Sequence, residues 1–320
     1  MIAVTGAAGF LGSAVCRLAA EPVVALVHRP GPAPPEKASR VFVGDICDAD
    51  TLDRALDGAK AVVHLAALHV DREGAGYERV NLEGARAVLA AMRRNRVRRI
   101  LIVSSTGVYG HGRHAGADER TPVRPDTALA RSKAAAEALL LEAHRRGELE
   151  LTLLRHRFVY GHGDRHVLPG IHRAAARAPF LVDGGRARFS LIWVDDLARV
   201  IWRLIGEPEP DAERPLYHVT DGAPVAYVDL VEALCRGLGG RPPTRSLPFW
   251  LVHTALRVRE RLADVDLEAA SGVTSLRVAL LGRDQWFSNE RLRRRLPDFA
   301  ATPLTVGLAA SMDWYRSLAK

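Results

Sequence analysis

The chain has 320 residues, of which 48% are hydrophobic and 26% are charged, and this composition excludes an intrinsically disordered protein. The formal net charge is +8 and comes mainly from arginine. The densest basic run, residues 93–99, lies where a helix should end and contains no aromatic residue, so we expect no nucleic-acid partner. No apolar run in the sequence is long enough to span a bilayer, and we expect no membrane partner either.

The three cysteines, Cys16, Cys47 and Cys235, lie far apart in the sequence. No pairs of cysteine or histidine residues have the spacing of a zinc site. We therefore expect neither a disulfide framework nor a metal, and a cytoplasmic location is the expectation that follows from reduced cysteines.

Strand and helix patterns alternate from the first residue to about residue 160. Strands are expected at residues 2–5, 23–27, 41–43, 61–65, 100–103 and 151–154, and helices at residues 10–20, 82–92 and 127–144. Asp50 or Thr51 is expected to cap a further helix that ends at Gly58. Apolar strands that alternate with amphipathic helices predict an α/β fold, a doubly wound parallel sheet covered by helices on both faces.

The regular alternation of predicted strands and helices ends at about residue 160. Residues 191–194 read as a return to the sheet, and Asp195 or Asp196 is expected to cap the helix that follows. Pro248 is expected to open a helix further on. We predict a nucleotide-binding domain at 1–160, with 186–206 returning to it. Residues 161–185 and 207–320 are predicted to form a smaller, mostly helical substrate-binding lobe.

A glycine-rich loop joins the first strand to the first helix, as Thr5-Gly6-Ala7-Ala8-Gly9-Phe10-Leu11-Gly12. Gly6 allows the sharp turn, Gly9 lets the backbone approach a pyrophosphate, and Gly12 lets the helix pack close to the strand. The helix then presents N–H groups and its positive dipole end to the phosphates. This loop predicts a Rossmann fold that binds a dinucleotide.

Later segments resemble the extended short-chain dehydrogenases/reductases, which include epimerases, dehydratases and 3β-hydroxysteroid dehydrogenases. The similar segments are the GDxxD motif at 44–48, HLAA at 64–67, VNxxG at 80–84, SSxxVYG at 104–110, the end of YxRSK at 131–133, and LRPxxVYGPG at 154–161, in which histidine replaces the prolines at 156 and 162. The resemblance implies an NAD(P)-dependent oxidoreductase.

The resemblance also implies which residues contact the coenzyme. They are Gly6, Ala8, Gly9, Phe10, Leu11, Gly12, His28, Arg29, Asp45, Ile46, Leu65, Ala66, Ala67 and Lys133, with Asp45 bonded to the adenine amine. Members selective for NAD end the second strand with a carboxylate, but here Val27, His28 and Arg29 stand at that point. Because a guanidinium matches the geometry of a 2′-phosphate, we predict NADP(H), with NAD(H) as the second choice.

One residue of the family's catalytic set is missing. The proton donor is a tyrosine four residues before the lysine, and here Leu129 precedes Lys133 by four. Ser105 and Lys133 match the other two catalytic positions. No tyrosine lies between Tyr109 and Lys133, so a shift of register cannot restore the motif. Water, His111, Tyr109 or an acidic group of the substrate are the alternative proton sources.

The later part of the chain carries apolar segments at 246–258 and 280–287 that resemble 3β-hydroxysteroid-dehydrogenase-like proteins. Tyrosine-less extended reductases of angucyclinone polyketides are a similar case. We therefore predict an NADPH-dependent ketoreductase that acts on an aromatic polyketide in antibiotic biosynthesis or on a sterol-like compound. Its hydrophobic polycyclic substrate would contact Tyr109, His111, Leu129 and Phe158.

Two other functions remain open on the sequence. A sugar-nucleotide epimerase or dehydratase would need the absent tyrosine, and a non-catalytic NAD(P)-binding regulator would not explain why Ser105 and Lys133 are present. Relatives form dimers through helices equivalent to 82–95 and 127–146, so a homodimer is an open alternative as well.

Overall fold

The computed structural model describes residues 1–31, 33–69, 76–177, 180–209, 211, 213–263 and 273–319. Within them the strands are, in chain order, β1 (Ile2–Thr5), β2 (Val23–Val27), β3 (Ala38–Val43), β4 (Ala61–His64), β5 (Arg99–Ser105), β6 (His114–Ala117), β7 (Glu150–His156), β8 (Val159–Tyr160), β9 (Phe180–Val182), β10 (Arg188–Phe189), β11 (Ile192–Trp193), β12 (Leu216–Val219), β13 (Val225–Ala226), β14 (Arg245–Leu247) and β15 (Gln285–Phe287). The α-helices are α1 (Phe10–Arg17), α2 (Ala49–Leu56), α3 (Gly84–Arg94), α4 (Ala128–Arg145), α5 (Val167–Arg177), α6 (Val194–Gly206), α7 (Tyr227–Leu238), α8 (Phe249–Leu262), α9 (Ser275–Leu281), α10 (Glu290–Arg295) and α11 (Leu304–Ala319). None of these helices combines the length and the apolar character that crossing a membrane requires.

Seven strands form the main sheet, in the order β12-β7-β5-β4-β1-β2-β3. β1 runs parallel to both of its neighbours, with Ile2 opposite Val23 on one side and Ala61 on the other. β2 and β4 are buried along their whole length, which explains why they are continuous apolar runs. The chain builds the sheet outward in opposite directions from β1 and β4, the point at which such folds bind ligands. The prediction of a doubly wound parallel sheet is confirmed.

Helices α2, α3 and α4 cover the sheet through a shared apolar cluster, in which Leu52, Leu56, Val88, Met92 and Leu140 are buried. A second pair of helices, α1 and α6, pack against each other. There the Trp202 indole N–H donates to the Val15 carbonyl at 2.8 Å, and Arg17 pairs with Asp195 at 2.5 Å.

The helix starts differ in detail from those expected. α2 begins at Ala49 after Asp48, so Asp50 and Thr51 lie inside the first turn and the Thr51 hydroxyl donates to Asp48. The prediction that Asp50 or Thr51 caps this helix is wrong, because Asp48 occupies the N-cap position. At α4, by contrast, Thr127 accepts the Ala130 N–H at 3.1 Å and ends the preceding loop.

The chain divides into two compact units. Unit 1 contains Met1–Val108, Val123–Arg155 and Val194–Tyr217, and unit 2 contains Tyr109–Pro122, His156–Trp193 and His218–Lys320. These boundaries differ from the expected ones, because residues 109–122, 156–160 and 186–193 belong to unit 2 and residues 207–217 belong to unit 1.

Strand pairing explains the difference in boundaries. β6 pairs with β15, and β10 pairs with β13 and β15, so both segments join a four-stranded sheet of unit 2. The segment at 191–194, expected to return to the main sheet, instead forms β11 and pairs with β8. The main sheet gains β12 as its edge.

The apolar cluster of unit 2 contains several aromatic rings. Phe189 is fully buried. The centre of its ring lies 5.5 Å from that of Phe158 and 5.9 Å from that of Tyr227, and both pairs are edge-to-face. Helices α5, α7 and α11 close the same cluster with Leu168, Leu230 and other apolar side chains. Edge-to-face rings of this kind add to the free energy gained by burial.

Candidate active site

The glycine loop of unit 1 has the geometry of a phosphate cradle. Gly6 adopts φ +68°, and a Cβ placed on it would lie 2.7 Å from the Ala66 nitrogen. A Cβ on Gly12 would lie 2.1 Å from the Gly6 carbonyl oxygen. At Gly9 a Cβ would approach only the Gly6 oxygen, at 3.1 Å, and no side chain caps α1. The loop therefore leaves the start of α1 open to an anion, and it fits a dinucleotide diphosphate.

Thr5 ties the carboxyl ends of β1 and β4 together. Its hydroxyl lies 2.8 Å from Nδ1 of His64 and accepts the backbone N–H groups of Leu65 and Ala66 at 3.2 Å each. The loop that carries Leu65, Ala66 and Ala67 is thereby held beside the glycine loop. Burial, together with the charge of Lys133, lowers the pKa of His64 to about 4, so this imidazole is neutral at pH 7.

A small cavity of about 20 Å³ lies beside this loop and Lys133. Its lining residues are His64, Ala66, Ala67, Asn81, Ile102, Val103, Ser104, Lys133 and Ala136. The Ser104 hydroxyl is buried and has no hydrogen-bond partner among the described residues.

Lys133 is buried on α4, with 7% of its surface exposed. Burial lowers its pKa to about 8, and Glu137, one helical turn later, acts in the opposite direction. Glu137 is itself held by Arg155, whose guanidinium donates to both carboxylate oxygens, at 3.1 and 2.5 Å. The carboxylate that favours the charged form of Lys133 is therefore itself part of a buried ion pair with Arg155.

Asn81 was not among the site residues expected from the sequence, although it stands in the VNxxG segment. It lies in a π-helical turn, Glu78–Glu83, directly before α3. Its side chain accepts the Leu68 N–H at 2.8 Å and donates to the Ser132 hydroxyl at 2.9 Å. This amide fixes α4 next to the loop after β4. The available signal was the motif asparagine itself, because π-turns often mark functional sites.

The two remaining catalytic positions lie on separate elements of unit 1. Ser105 ends β5 and is partly buried, and its hydroxyl accepts the Gly107 N–H at 3.1 Å. Leu129 is partly buried in the first turn of α4, and its carbonyl accepts the Ser132 hydroxyl at 2.9 Å. A tyrosine at position 129 would have extended from this turn, one turn before Lys133.

The expected adenine-side residues follow β2 and β3. Asp45 accepts the Cys47 N–H at 2.8 Å and pairs with Arg79 at 2.6 Å, and these contacts hold its pKa below the usual range. Ile46 is buried against the position of Gly84. His28 and Arg29 are exposed directly after β2, where a ribose 2′-substituent lies in this fold.

The other expected substrate residues lie in unit 2. Tyr109 is buried, and its hydroxyl lies 2.6 Å from Nε2 of His218. Because this hydroxyl is already hydrogen-bonded to His218, we expect it not to serve as the missing acid. His111 is partly buried in the same loop.

Phe158 adopts φ +38°, a strained value for a residue with a side chain, and the Arg157 guanidinium lies 4.7 Å from the centre of its ring. Such strain concentrates at ligand sites. Among the described residues no three histidine, cysteine or acidic side chains converge to hold a metal ion.

Residues 2–219 match the model of the NAD dependent epimerase/dehydratase family. The 4-hydroxy-2-methyl-3-oxo-4-farnesyl-3,4-dihydroquinoline-1-oxide ketoreductase of Stigmatella aurantiaca is 32% identical over 304 residues, 92% of this chain and 90% of that protein. The 2-alkyl-3-oxoalkanoate reductase of Stenotrophomonas maltophilia is 28% identical and covers 94% of each chain.

Among solved structures, MoeE5 in complex with UDP-glucose and NAD is similar over 100% of this chain and 99% of that one, with a TM-score of 0.73 and 26% identity. The family match covers the nucleotide cradle, the Lys133 helix and all of the main sheet. The chain belongs to the NAD-dependent epimerase/dehydratase family of extended short-chain dehydrogenases/reductases, and is an NAD(P)-dependent oxidoreductase.

Proposed function

We propose that this protein is an NADPH-dependent ketoreductase that acts on a hydrophobic polycyclic ketone carrying an acidic hydroxyl beside the carbonyl. The observation that carries the proposal is Leu129, an apolar side chain at the proton donor's position, one turn before a buried Lys133. Both reductase relatives align over nearly the whole chain; the name of one describes a farnesyl-substituted oxo-dihydroquinoline and the name of the other a 2-alkyl-3-oxoalkanoate.

The residues present fit a bound nicotinamide dinucleotide, which would supply the hydride. The glycine loop and the start of α1 would hold the diphosphate, and Lys133 would hold the nicotinamide ribose. Because Lys133 has a pKa of about 8, it carries its charge at neutral pH but loses it in mildly alkaline solution.

Ser105 would polarise the carbonyl. Its oxygen already accepts the Gly107 N–H, which orients the hydroxyl and leaves its own hydrogen available for a carbonyl oxygen. Leu129 would exclude water from the position beside that carbonyl. The substrate's own hydroxyl would then share its proton with the developing alkoxide, which replaces the function of a tyrosine.

Coenzyme choice is part of the proposal. Arg29 is exposed after β2 and no carboxylate stands there, so we propose a preference for NADP(H), with NAD(H) as the weaker coenzyme. Arg29→Ala should raise the KM for NADPH about tenfold, the loss of one phosphate contact worth about 1.4 kcal/mol, and leave the KM for NADH unchanged. Equal KM values for both coenzymes in the unmodified protein would contradict the preference.

The central experiment compares a polycyclic ketone that has a hydroxyl beside the carbonyl with its methyl ether, each in the presence of NADPH. We expect the hydroxy ketone to be reduced at least a hundredfold faster, and Lys133→Met to remove this activity while the protein stays folded. Equal rates would exclude assistance by the substrate. If neither ketone were reduced, although NADPH bound, the reductase proposal would fail.

Leu129→Tyr serves as the matched variant. We expect it to lower turnover of the hydroxy ketone, because the phenol would fill the space the substrate uses. A hundredfold gain in activity would instead show that Leu129 marks an impaired site.

A further inference from the structure

Helix α8 (Phe249–Leu262) of unit 2 exposes large apolar side chains. The exposed fractions are 68% for Trp250, 44% for Leu251, 52% for Val258 and 84% for Leu262. The same helix buries Val252 and Glu260. A surface helix ordinarily places its apolar residues toward the core and polar residues outward, so the outer face of α8 departs from that rule.

These four side chains share one face. At about 100° per residue, the positions from Trp250 to Leu262 fall within an arc of about 120°. The buried positions, Val252 and Glu260, lie on the opposite side of the helix. One side of the helix therefore packs within unit 2, and a second, apolar side faces outward.

Arginines flank the outward face. Arg257, Arg259 and Arg261 are all exposed. The one acidic residue of α8, Glu260, is 5% exposed and accepts the Ser275 N–H at 2.6 Å. Every charge that α8 presents outward is thus positive, on a chain with a net charge of +8.

We propose that α8 docks on the surface of an anionic lipid bilayer. An amphipathic helix with tryptophan and leucine on one face and arginines at its edges lies in the plane of the interface, with apolar side chains among the acyl chains and guanidinium groups at the lipid phosphates. The sequence led us to expect no membrane partner, but that expectation came from the absence of a spanning segment. Docking by one helix face needs no such segment.

A second copy of the chain is the other occupant to consider. A symmetric contact through α8 would bring like-charged arginines of both copies to the same interface, and this repulsion opposes association. Anionic lipid has the complementary charge and also covers the apolar face. The charge pattern therefore favours the bilayer.

The experiment measures co-sedimentation of the full chain with vesicles of phosphatidylcholine, with and without phosphatidylglycerol, in the absence of coenzyme and ketone. We expect at least tenfold tighter binding to the vesicles that contain phosphatidylglycerol, weakened by added salt. The double variant Trp250→Ser, Leu262→Ser should lose binding at least tenfold. Arg257→Gln with Arg261→Gln should remove the preference for phosphatidylglycerol. Val306→Ser, which changes a side chain 55% exposed on α11, is the matched control and should bind like the unmodified protein.

The unfolding temperature of each variant shows whether it is folded. Binding that is absent from both vesicle types, or that the tryptophan and leucine changes leave intact, would overturn the proposal. Sedimentation velocity without vesicles tests the other occupant, because a dimer that the same variants convert to monomer would assign the face to self-association. Neither measurement uses ketone reduction, so failure of the proposed function would leave this inference standing.

Discussion

The two units bury their polar groups in different settings. In unit 1, the buried polar side chains include four that are each less than 8% exposed: Lys133, Glu137, Arg155 and His64. Glu137 and Arg155 form an ion pair. Unit 2 also buries Asp164 and Glu260, but there the carboxylates accept backbone N–H groups. Its buried Tyr109 and His218 are bonded to each other and packed against Phe287. Burying a charge is costly unless the group is paired or hydrogen-bonded, and the two units meet this requirement in different ways.

This difference between the units suggests that the reaction chemistry is placed in unit 1 and apolar recognition in unit 2. Unit 1 holds the glycine loop and Lys133, the groups proposed to bind the coenzyme. Unit 2 contributes apolar surface, both inside and on α8. Four changes test this contrast, from the largest expected effect to the smallest.

Glu137→Gln should have the largest effect, because it removes the carboxylate that is paired with the buried Arg155 guanidinium. We expect a loss of about 3–5 kcal/mol in the free energy of unfolding, measured by urea denaturation. The pKa of Lys133 should fall further below about 8, because Glu137 now raises it, and the pH profile of turnover should shift to lower pH. Asp313→Asn, in an ion pair whose acid is 97% exposed, is the control and should change stability little. Equal effects of the two changes would erase the contrast.

His64 should make the protein sensitive to acid. Its pKa in the folded state is about 4, below the ordinary value of 6.5, so the unfolded chain binds a proton first as the pH falls. Stability should therefore decrease from pH 6.5 toward pH 4, by about 3 kcal/mol, and His64→Asn should lose this slope. His166→Asn, at an exposed histidine, should keep it. Parallel pH curves for the two variants would show that His64 carries no such linkage.

Gly12→Ala should disturb the cradle, since its Cβ would lie 2.1 Å from the Gly6 oxygen. We expect a loss of about 1–3 kcal/mol in stability from overpacking, and at least tenfold weaker NADPH binding by fluorescence titration. Gly206→Ala, where a Cβ meets nothing within 4 Å, is the control. A Gly12→Ala protein that binds NADPH normally would remove the glycine loop from the coenzyme site.

Tyr109→Phe should have the smallest effect and separates the units most directly. It removes the hydroxyl bonded to His218, so we expect a loss of about 1 kcal/mol in stability with turnover unchanged. A large drop in kcat at unchanged stability would instead make Tyr109 the proton donor, and the chemistry would then involve unit 2.

The sequence predicted the cradle and the alternation of strands and helices, because both are local patterns. Strand, glycine loop and helix follow one another within the first 17 residues, and each glycine has a steric reason to stand where it does. The missing tyrosine was visible for the same reason, since the donor and the lysine are separated by one helical turn. The element bounds at β2 and α4 agree closely with the expected ones.

Long-range packing decided the rest. The low pKa of Lys133 comes from its burial in the folded chain, and the Glu137–Arg155 pair joins a helix to a strand. The bond between Tyr109 and His218 spans 109 residues, and the strand at 114–117 joined unit 2 by pairing with residues 285–287. The local pattern of a segment predicts its secondary structure and its turns. Only the folded chain determines which distant segment packs against it, and therefore which charged groups become buried and desolvated.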